Sequence, residues 1–435
     1  MVCANSLKRT LMNSTLCPQL SRRWFEVQNE LVPLLRSEYE GLTPRLEQVI
    51  RTLEWVRVEE YITVPWYKFG GRPARERCDL ARAFVVKAVL GFETTRQLIE
   101  RLAVDTCLRR ICGFDMRKRL PSEATFSRAF AEFAKDELPQ KVHAIMVREQ
   151  LGDQLIGHIS RDSTAIPARE TPKPAATSVA PKELSVATSI EALGQTSAAQ
   201  ARNLGEGTCA QKDACEANPS GVPSATPAAP TADAKPKARR GRPRKGEQRE
   251  VPAQASGKVA LQLNQTLSQV LSALPTLCDW GTKKNSEGHK ETWKGYKLHL
   301  DTTDCAVPVA ALISSASMHD SLAAIPMATI TAQRVTSFYD LMDAAYCCEA
   351  IRAHSRSLGH VPLIDHNPRK GEKKEFLPHE AQRYKERSQA ERMNARLKDE
   401  FGAGQVWVRG HEKVSCHLMF CVLALAADQL MRLLR

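Results

Sequence analysis

The sequence predicts a mixed α/β protein with a helical N-terminal part, and three observations carry this. Strand-like and helix-like segments alternate from Leu155 onward, helical signals dominate before Gln150, and an aperiodic block lies between them. The 435 residues suffice for two or three domains with a sizeable core, and a hydrophobic content of 43% excludes a wholly disordered chain. Composition divides the chain into a helical region over 1–150, a first strand of a second domain over 151–166, an insertion over 167–256, and the remainder of that domain over 257–435.

In the first region Leu80 to Leu90 is apolar at helical spacing, and Thr94-Thr95-Arg96-Gln97 has the form of a capping box opening the next helix. Pro121-Ser122 starts another periodic segment through Phe126, Phe130 and Phe133. Arg72, Arg75, Arg77, Arg109, Arg110, Arg117, Lys118 and Arg119 give this region a cationic surface, suited to DNA in a helix-turn-helix-like manner or equally to solvent or a dimer contact.

Leu155 to Thr164 predicts a short strand delivering Asp162 at or near its end, followed by hydroxyl residues that favour turns. The block from Pro167 to about Gln254 is dominated by Ala, Pro, Ser, Thr, Gly and Lys and cannot bury enough apolar surface to offset chain entropy, which predicts disorder. At its end Arg239-Arg240-Gly241-Arg242-Pro243 has the pattern of an AT-hook core, with Arg240 and Arg242 available to a narrow minor groove; an unspecific basic tether is the other reading.

Beyond Leu261 the pattern gives strands over Trp293 to Asp301 and Val307 to Ser315, a helix over His319 to Arg334, and a strand over Phe338 to Asp343. A helix over Cys348 to Leu358, a strand over Val361 to Asp365 and a long polar helix over His379 to Phe401 follow. The apolar run from His417 to Leu434 contains Asp428 and Gln429, so its uninterrupted part falls short of the roughly 20 residues a bilayer demands; a buried final helix is expected, and no membrane partner.

Net charge of +13 and a pI near 9.2 favour a polyanionic partner, because neutralised phosphates release counterions. The 13 cysteines are odd in number and include adjacent Cys347 and Cys348, which fits reduced thiols in a cytosol. No Cys-x2-Cys pair accompanies them, so zinc is not expected. The N-terminus shows no long apolar stretch of the secretory kind.

The polar helix carries the most chemistry. Tyr384, Arg387, Glu391 and Lys398 stand at offsets of 0, 3, 7 and 14, within about a 60° arc of a helix. That face combines a phenol, two cations and a carboxylate: Glu can hold a divalent metal while Arg and Lys grip phosphates, although a solvated helix with i,i+4 ion pairs has the same composition. Asp162 and Asp343, each where an apolar run ends, complete a three-carboxylate set with Glu391. Asp340 competes with Asp343, but strand alternation would point the two to opposite faces.

Asp162 in an Asp-Ser-Thr context, Asp343-x2-Tyr346 and Tyr384-x2-Arg387-x3-Glu391-x6-Lys398 resemble the signatures of DDE transposases of bacterial insertion sequences, of the branch around insertion-sequence families four and five. The similarity extends through Gly295-Tyr296-Lys297-Leu298-His299, Ala316-Ser317-Met318-His319-Asp320-Ser321 and Val408-Arg409-Gly410-His411. Ala345 replaces the usual Gly two residues after the second Asp, and about 50 residues separate Asp343 from Glu391, too few for the β-rich insertion of branches that cut through a hairpin.

The resemblance implies a ribonuclease-H-like fold and metal-dependent DNA cleavage with strand transfer, the metal ligands being Asp162, Asp343 and Glu391 as the catalytic residues. It implies two Mg²⁺ ions about 4 Å apart, with Mn²⁺ able to substitute. Tyr384, Arg387 and Lys398 would then position the DNA backbone. The partners would be double-stranded DNA, both the element's terminal inverted repeats and the target, bound by a homodimer in a bacterial cytoplasm at the nucleoid. A nuclease of the same fold that never joins ends, or a transposase-derived DNA-binding protein without catalysis, are the alternatives.

Overall fold

The computed structural model describes residues 27–38, 42–62, 77–172, 257–284, 287–367 and 375–434. The insertion with Arg240 and Arg242, and Arg72 and Arg75 upstream, lie outside the described residues.

The helical region contains α1 (Val32–Glu38), α2 (Pro44–Val56), α3 (Arg77–Val89), α4 (Thr95–Val104), α5 (Thr106–Ile111), α6 (Glu123–Lys135) and α7 (Leu138–Leu151). The capping box at Thr94 forms as expected, its hydroxyl accepting from the Gln97 amide while the Gln97 side chain accepts from the Thr94 amide. Phe126, Phe130 and Phe133 cluster their rings around Phe84 of α3.

The sheet is built from β1 (Leu155–Pro167), β2 (Asp279–Lys284), β3 (Lys290–Thr303), β4 (Pro308–Ser315), β5 (Thr336–Met342) and β6 (Val361–Ile364). It runs β2-β3-β1-β5-β6, with β4 also on β3. The β4-β3-β1 half is antiparallel and the β1-β5-β6 half parallel. Around it are α8 (Lys258–Gln262), α9 (Leu267–Ala273), α10 (Ser321–Ala332), α11 (Glu349–Ser357), α12 (Pro378–Tyr384), α13 (Ser388–Glu400) and α14 (His411–Leu433). A six-stranded mixed sheet flanked by helices is the ribonuclease-H-like arrangement expected above.

Three details depart from the sequence reading. Asp162 is mid-strand, because β1 continues along β3 from Ile159 opposite Thr303 to Pro167 opposite Gly295. Residues placed at the head of the insertion therefore belong to the sheet: Ala168 bridges Val406, and Glu170 accepts from the Tyr296 hydroxyl and the Gly410 amide. β2 carries too little apolar alternation to be anticipated; it is an edge strand with an exposed Trp280. The polar helix is interrupted by a 3₁₀ turn over Lys385–Arg387, so Tyr384 ends one helix and Glu391 lies in the first turn of the next.

Gly295, at φ +154, marks where β3 passes the end of β1. A Cβ there would run into the Ile166 carbonyl oxygen and come within 2.8 Å of the Ala168 nitrogen.

α14 is long and apolar enough to cross a bilayer, but 89% of its apolar window is buried inside the protein. It packs on α7, α3, α6, α2 and β4, and Phe420 stacks on Phe84 with centroids 5.9 Å apart. One apolar cluster thus runs from Leu46, Phe84 and Val142 through Ile156 and Leu298 to Leu397 and Leu425. The helical region and the sheet share a core.

Candidate active site

The β1/β5 register fixes the first two acids. Ser160 lies opposite Leu341 in the last pair of the parallel ladder. Asp162 and Asp343 are each two residues further on, so they stand level, just beyond the point where β5 ends. Asp343 caps the 3₁₀ turn Ala344–Tyr346 and accepts from the Ala345 amide at 3.0 Å. Burial raises both carboxyls. Asp162 is pushed up to about 6 by burial and by the charges of Asp343 and Glu391, against the opposing Arg387. Asp343 is raised by burial and by Asp320, against the Ala345 amide and Arg387.

Helix α13 supplies the third acid. The Arg387 guanidinium lies 3.7 Å from Asp162 and also donates to Glu391, one helical turn away. Glu391 leaves 55% of its side chain in solvent, against 18% for Asp162. Three residues beyond Glu391, the Asn394 amide donates to the other Asp162 oxygen at 3.0 Å. Arg387 thus occupies the space between two of the acids, and among the described residues no three His, Cys, Asp or Glu side chains close into a metal-binding group.

Asp340 faces away from this locus. It is 2% exposed and is held by the Ser355 hydroxyl and the His360 ring on the opposite side of β5. Burial pushes its carboxyl up, but His360, Arg161 and Ser355 outweigh this and leave it below its ordinary value. Beside it Arg161 and Asp301 form a fully buried bidentate pair at 2.8 and 2.6 Å, with the Thr331 hydroxyl on Asp301. Alternation along β1 and β5 therefore sends Arg161 and Asp340 beneath the sheet and Asp162 and Asp343 above it.

The remaining predicted residues lie at the end of α12 and on α13. Tyr384 lies with Arg387 6.0 Å from its ring centroid, and its phenol is pushed up to about 12, chiefly by burial. Lys398 sits two turns past Glu391, half-buried, with its ammonium lowered by burial and by Lys283 of β2. Three neighbours carried no expectation. Asn394 stands three residues past Glu391 on one helix face. The Lys297–Asp320 pair, closed at 3.0 Å with Lys297 also donating to the Met318 carbonyl, joins two segments whose nearness no local pattern reveals. Tyr346, three residues past Asp343, is fully buried.

Residues 260–427 match the family model of the transposase DDE domain. Residues 35–132 match that of a transposase domain, DUF772. Both matches are to transposase models and together indicate an insertion-sequence transposase. The DDE match in this transposase spans Asp343, Glu391 and the whole Tyr384 to Lys398 set, and begins beyond Asp162. No curated protein and no solved structure matches the chain.

Proposed function

We propose that this transposase cleaves DNA at the ends of an insertion sequence and transfers the freed strand into target DNA, using Asp162, Asp343 and Glu391 as metal ligands. The observation that carries this reading is one guanidinium shared by Asp162 and Glu391, with Asp343 level with Asp162 on the adjacent strand. Burial raises the Asp162 carboxyl, with Arg387 opposing and the neighbouring charges of Asp343 and Glu391 adding to the rise. The all-oxygen donor set, and the buried Tyr346 hydroxyl and Asn394 amide oxygen left without hydrogen-bond partners among the described residues, suit a hard divalent cation with its water shell. Divalent ions, two Mg²⁺ with Mn²⁺ able to substitute, would supply activation of the nucleophile and stabilisation of the leaving 3′ oxygen.

The chain's own groups account for the rest. Arg387 and Lys398 present cations to phosphates, and Arg387 can exchange its carboxylate partners for a phosphodiester oxygen. The Tyr384 phenol, held protonated by its surroundings, donates to a backbone oxygen. Water attacks the phosphodiester at the element end and releases a 3′ hydroxyl, which then attacks target DNA in a second in-line transfer. The helical region contributes Arg77, Arg109, Arg110, Arg117, Lys118 and Arg119 to holding the terminal inverted repeats, within a homodimer on double-stranded DNA. Arg240 and Arg242 of the insertion add minor-groove affinity, in a bacterial cytoplasm at the nucleoid.

The test is a cleavage and strand-transfer assay on DNA carrying the flanks of the native gene, with and without Mg²⁺. Cutting without joining would favour the nuclease alternative. Binding without cutting would leave a DNA-binding protein.

A further inference from the structure

Helix α13 turns Ala390, Met393, Asn394 and Leu397 inward, against β1 and β3. Offsets of 0, 3, 4 and 7 are those of an apolar stripe, and three of these residues are apolar. Asn394 is the exception. It is 5% exposed, and a polar group so placed costs stability unless it is hydrogen-bonded. Its amide nitrogen donates to Asp162 Oδ2 at 3.0 Å, while the Arg387 guanidinium lies 3.7 Å from the other oxygen, Asp162 Oδ1. The two oxygens of one carboxylate thus have separate partners, which fixes the rotation of the group. An ionised carboxylate only accepts, so the amide must turn its nitrogen to Asp162 and its oxygen away. That amide oxygen is buried and has no hydrogen-bond partner among the described residues. Packing does not explain the choice: an apolar residue would complete the stripe, whereas the amide leaves a buried acceptor unpaired at a cost.

We propose that Asn394 is a positioning residue of the acid site: it holds Asp162 Oδ2 so that Oδ1 is presented to the divalent cation, and its free amide oxygen accepts from a water that accompanies the cation. The inference rests on the metal reading given above. Asn394 acts through Asp162 and touches neither DNA nor the reacting phosphate. Because Glu391 and Asn394 stand three residues apart on one helix, α13 supplies one proposed ligand and orients a second on β1.

The experiment titrates the full chain and its Asn394→Leu and Asn394→Ala variants with MnCl₂ by calorimetry in the absence of DNA. Leu fills the stripe with an apolar side chain and Ala removes the amide without adding bulk, so the two bracket the effect of volume. Metal-free thermal unfolding confirms that each is folded at the titration temperature. The expected result is Mn²⁺ binding by wild type and a roughly 10- to 100-fold weaker affinity in both variants. A lowered melting temperature with wild-type Mn²⁺ affinity in both would overturn the proposal and make the amide a structural group. Weakening in Asn394→Leu alone would trace the effect to bulk and overturn it equally. Absence of Mn²⁺ binding in wild type would overturn the metal reading and the proposal together, whereas equal binding by all three proteins would overturn the role of Asn394 alone.

Discussion

Arg387 faces Asp162 at 3.7 Å while its other nitrogen donates to Glu391, so a single guanidinium spans the gap between β1 and α13. Without a metal it is the local countercharge of the acid set. Arg387→Ala should push the Asp162 carboxyl higher still, because one of the influences lowering it is lost. The pairs are partly exposed, so the stability loss should stay near 1 kcal/mol or below. A chemical-shift titration of the Asp162 carboxyl in wild type and variant checks the direction; a downward shift would refute the bridging role.

Removing Arg387 or Lys398 should also weaken binding to element-end DNA and flatten the dependence of log affinity on log salt by roughly one phosphate contact each. Glu391→Gln removes a negative charge beside phosphates and should bind DNA equally or more tightly without metal. A salt titration without divalent ions compares the three. Unchanged slopes in both cation variants would mean that Arg387 serves only its carboxylate partners and that Lys398 touches no phosphate.

Asp162 sets a pH dependence. Its carboxyl is raised from the ordinary range to about 6, first by burial. The folded chain therefore binds this proton more tightly than the unfolded one. The resulting stabilisation is fully present below about pH 4 and is lost as pH rises through about 6. Metal-free wild type should lose stability relative to Asp162→Asn across that window. Cation affinity should run the opposite way, rising with pH by up to tenfold per unit until the carboxylate is ionised. Parallel denaturation curves for the two proteins at pH 4 and pH 7 would contradict the assignment.

Asp340 and Asp343 separate by the face of β5. Asp340→Asn disturbs the buried Ser355 and His360 bonds and should destabilise the fold by about 1–3 kcal/mol while leaving cation affinity intact. Asp343→Asn should do the reverse. Denaturant unfolding and Mn²⁺ calorimetry on both variants tell them apart; loss of cation binding in Asp340→Asn alone would make Asp340 the ligand.

Much of this architecture was legible because strands β3 to β6 carry apolar residues on alternating or continuous faces and are bounded by turns or helices. β2 was not, since Asp279-Trp280-Gly281-Thr282-Lys283-Lys284 packs one edge of a sheet and buries little. The length of β1 was hidden by Ser163 and Thr164, whose turn preference is overridden by the continuous ladder on β3. Nothing in Tyr384 to Glu391 announces the 3₁₀ turn, as no Pro or Gly interrupts it. Asp162, Asp343 and Glu391, the proposed metal ligands, were read from local pattern and resemblance. Lys297 and Asp320 come together only through the sheet, and Asn394 needed the knowledge that Asp162 would face α13.

The close approach at Gly295 gives a test of the sheet itself. Gly295→Ala would force a Cβ against the Ile166 carbonyl and should destabilise by more than about 1 kcal/mol, with β1 and β3 shifting apart at the end that follows Asp162. Thermal unfolding checks it; an unaltered melting temperature would contradict the crossing.

The central claim is that three carboxylates on β1, β5 and α13 perform metal-dependent DNA strand transfer, and one assay bears on it most directly. Wild type, Asp162→Asn, Asp343→Asn and Glu391→Gln are incubated with labelled element-end DNA and Mg²⁺, and nicked and joined products are resolved on a denaturing gel alongside a binding measurement. The expected result is nicking and joining by wild type, neither product from any of the three variants, and retained DNA binding in all four. Product formation by Glu391→Gln at the wild-type rate would contradict the claim.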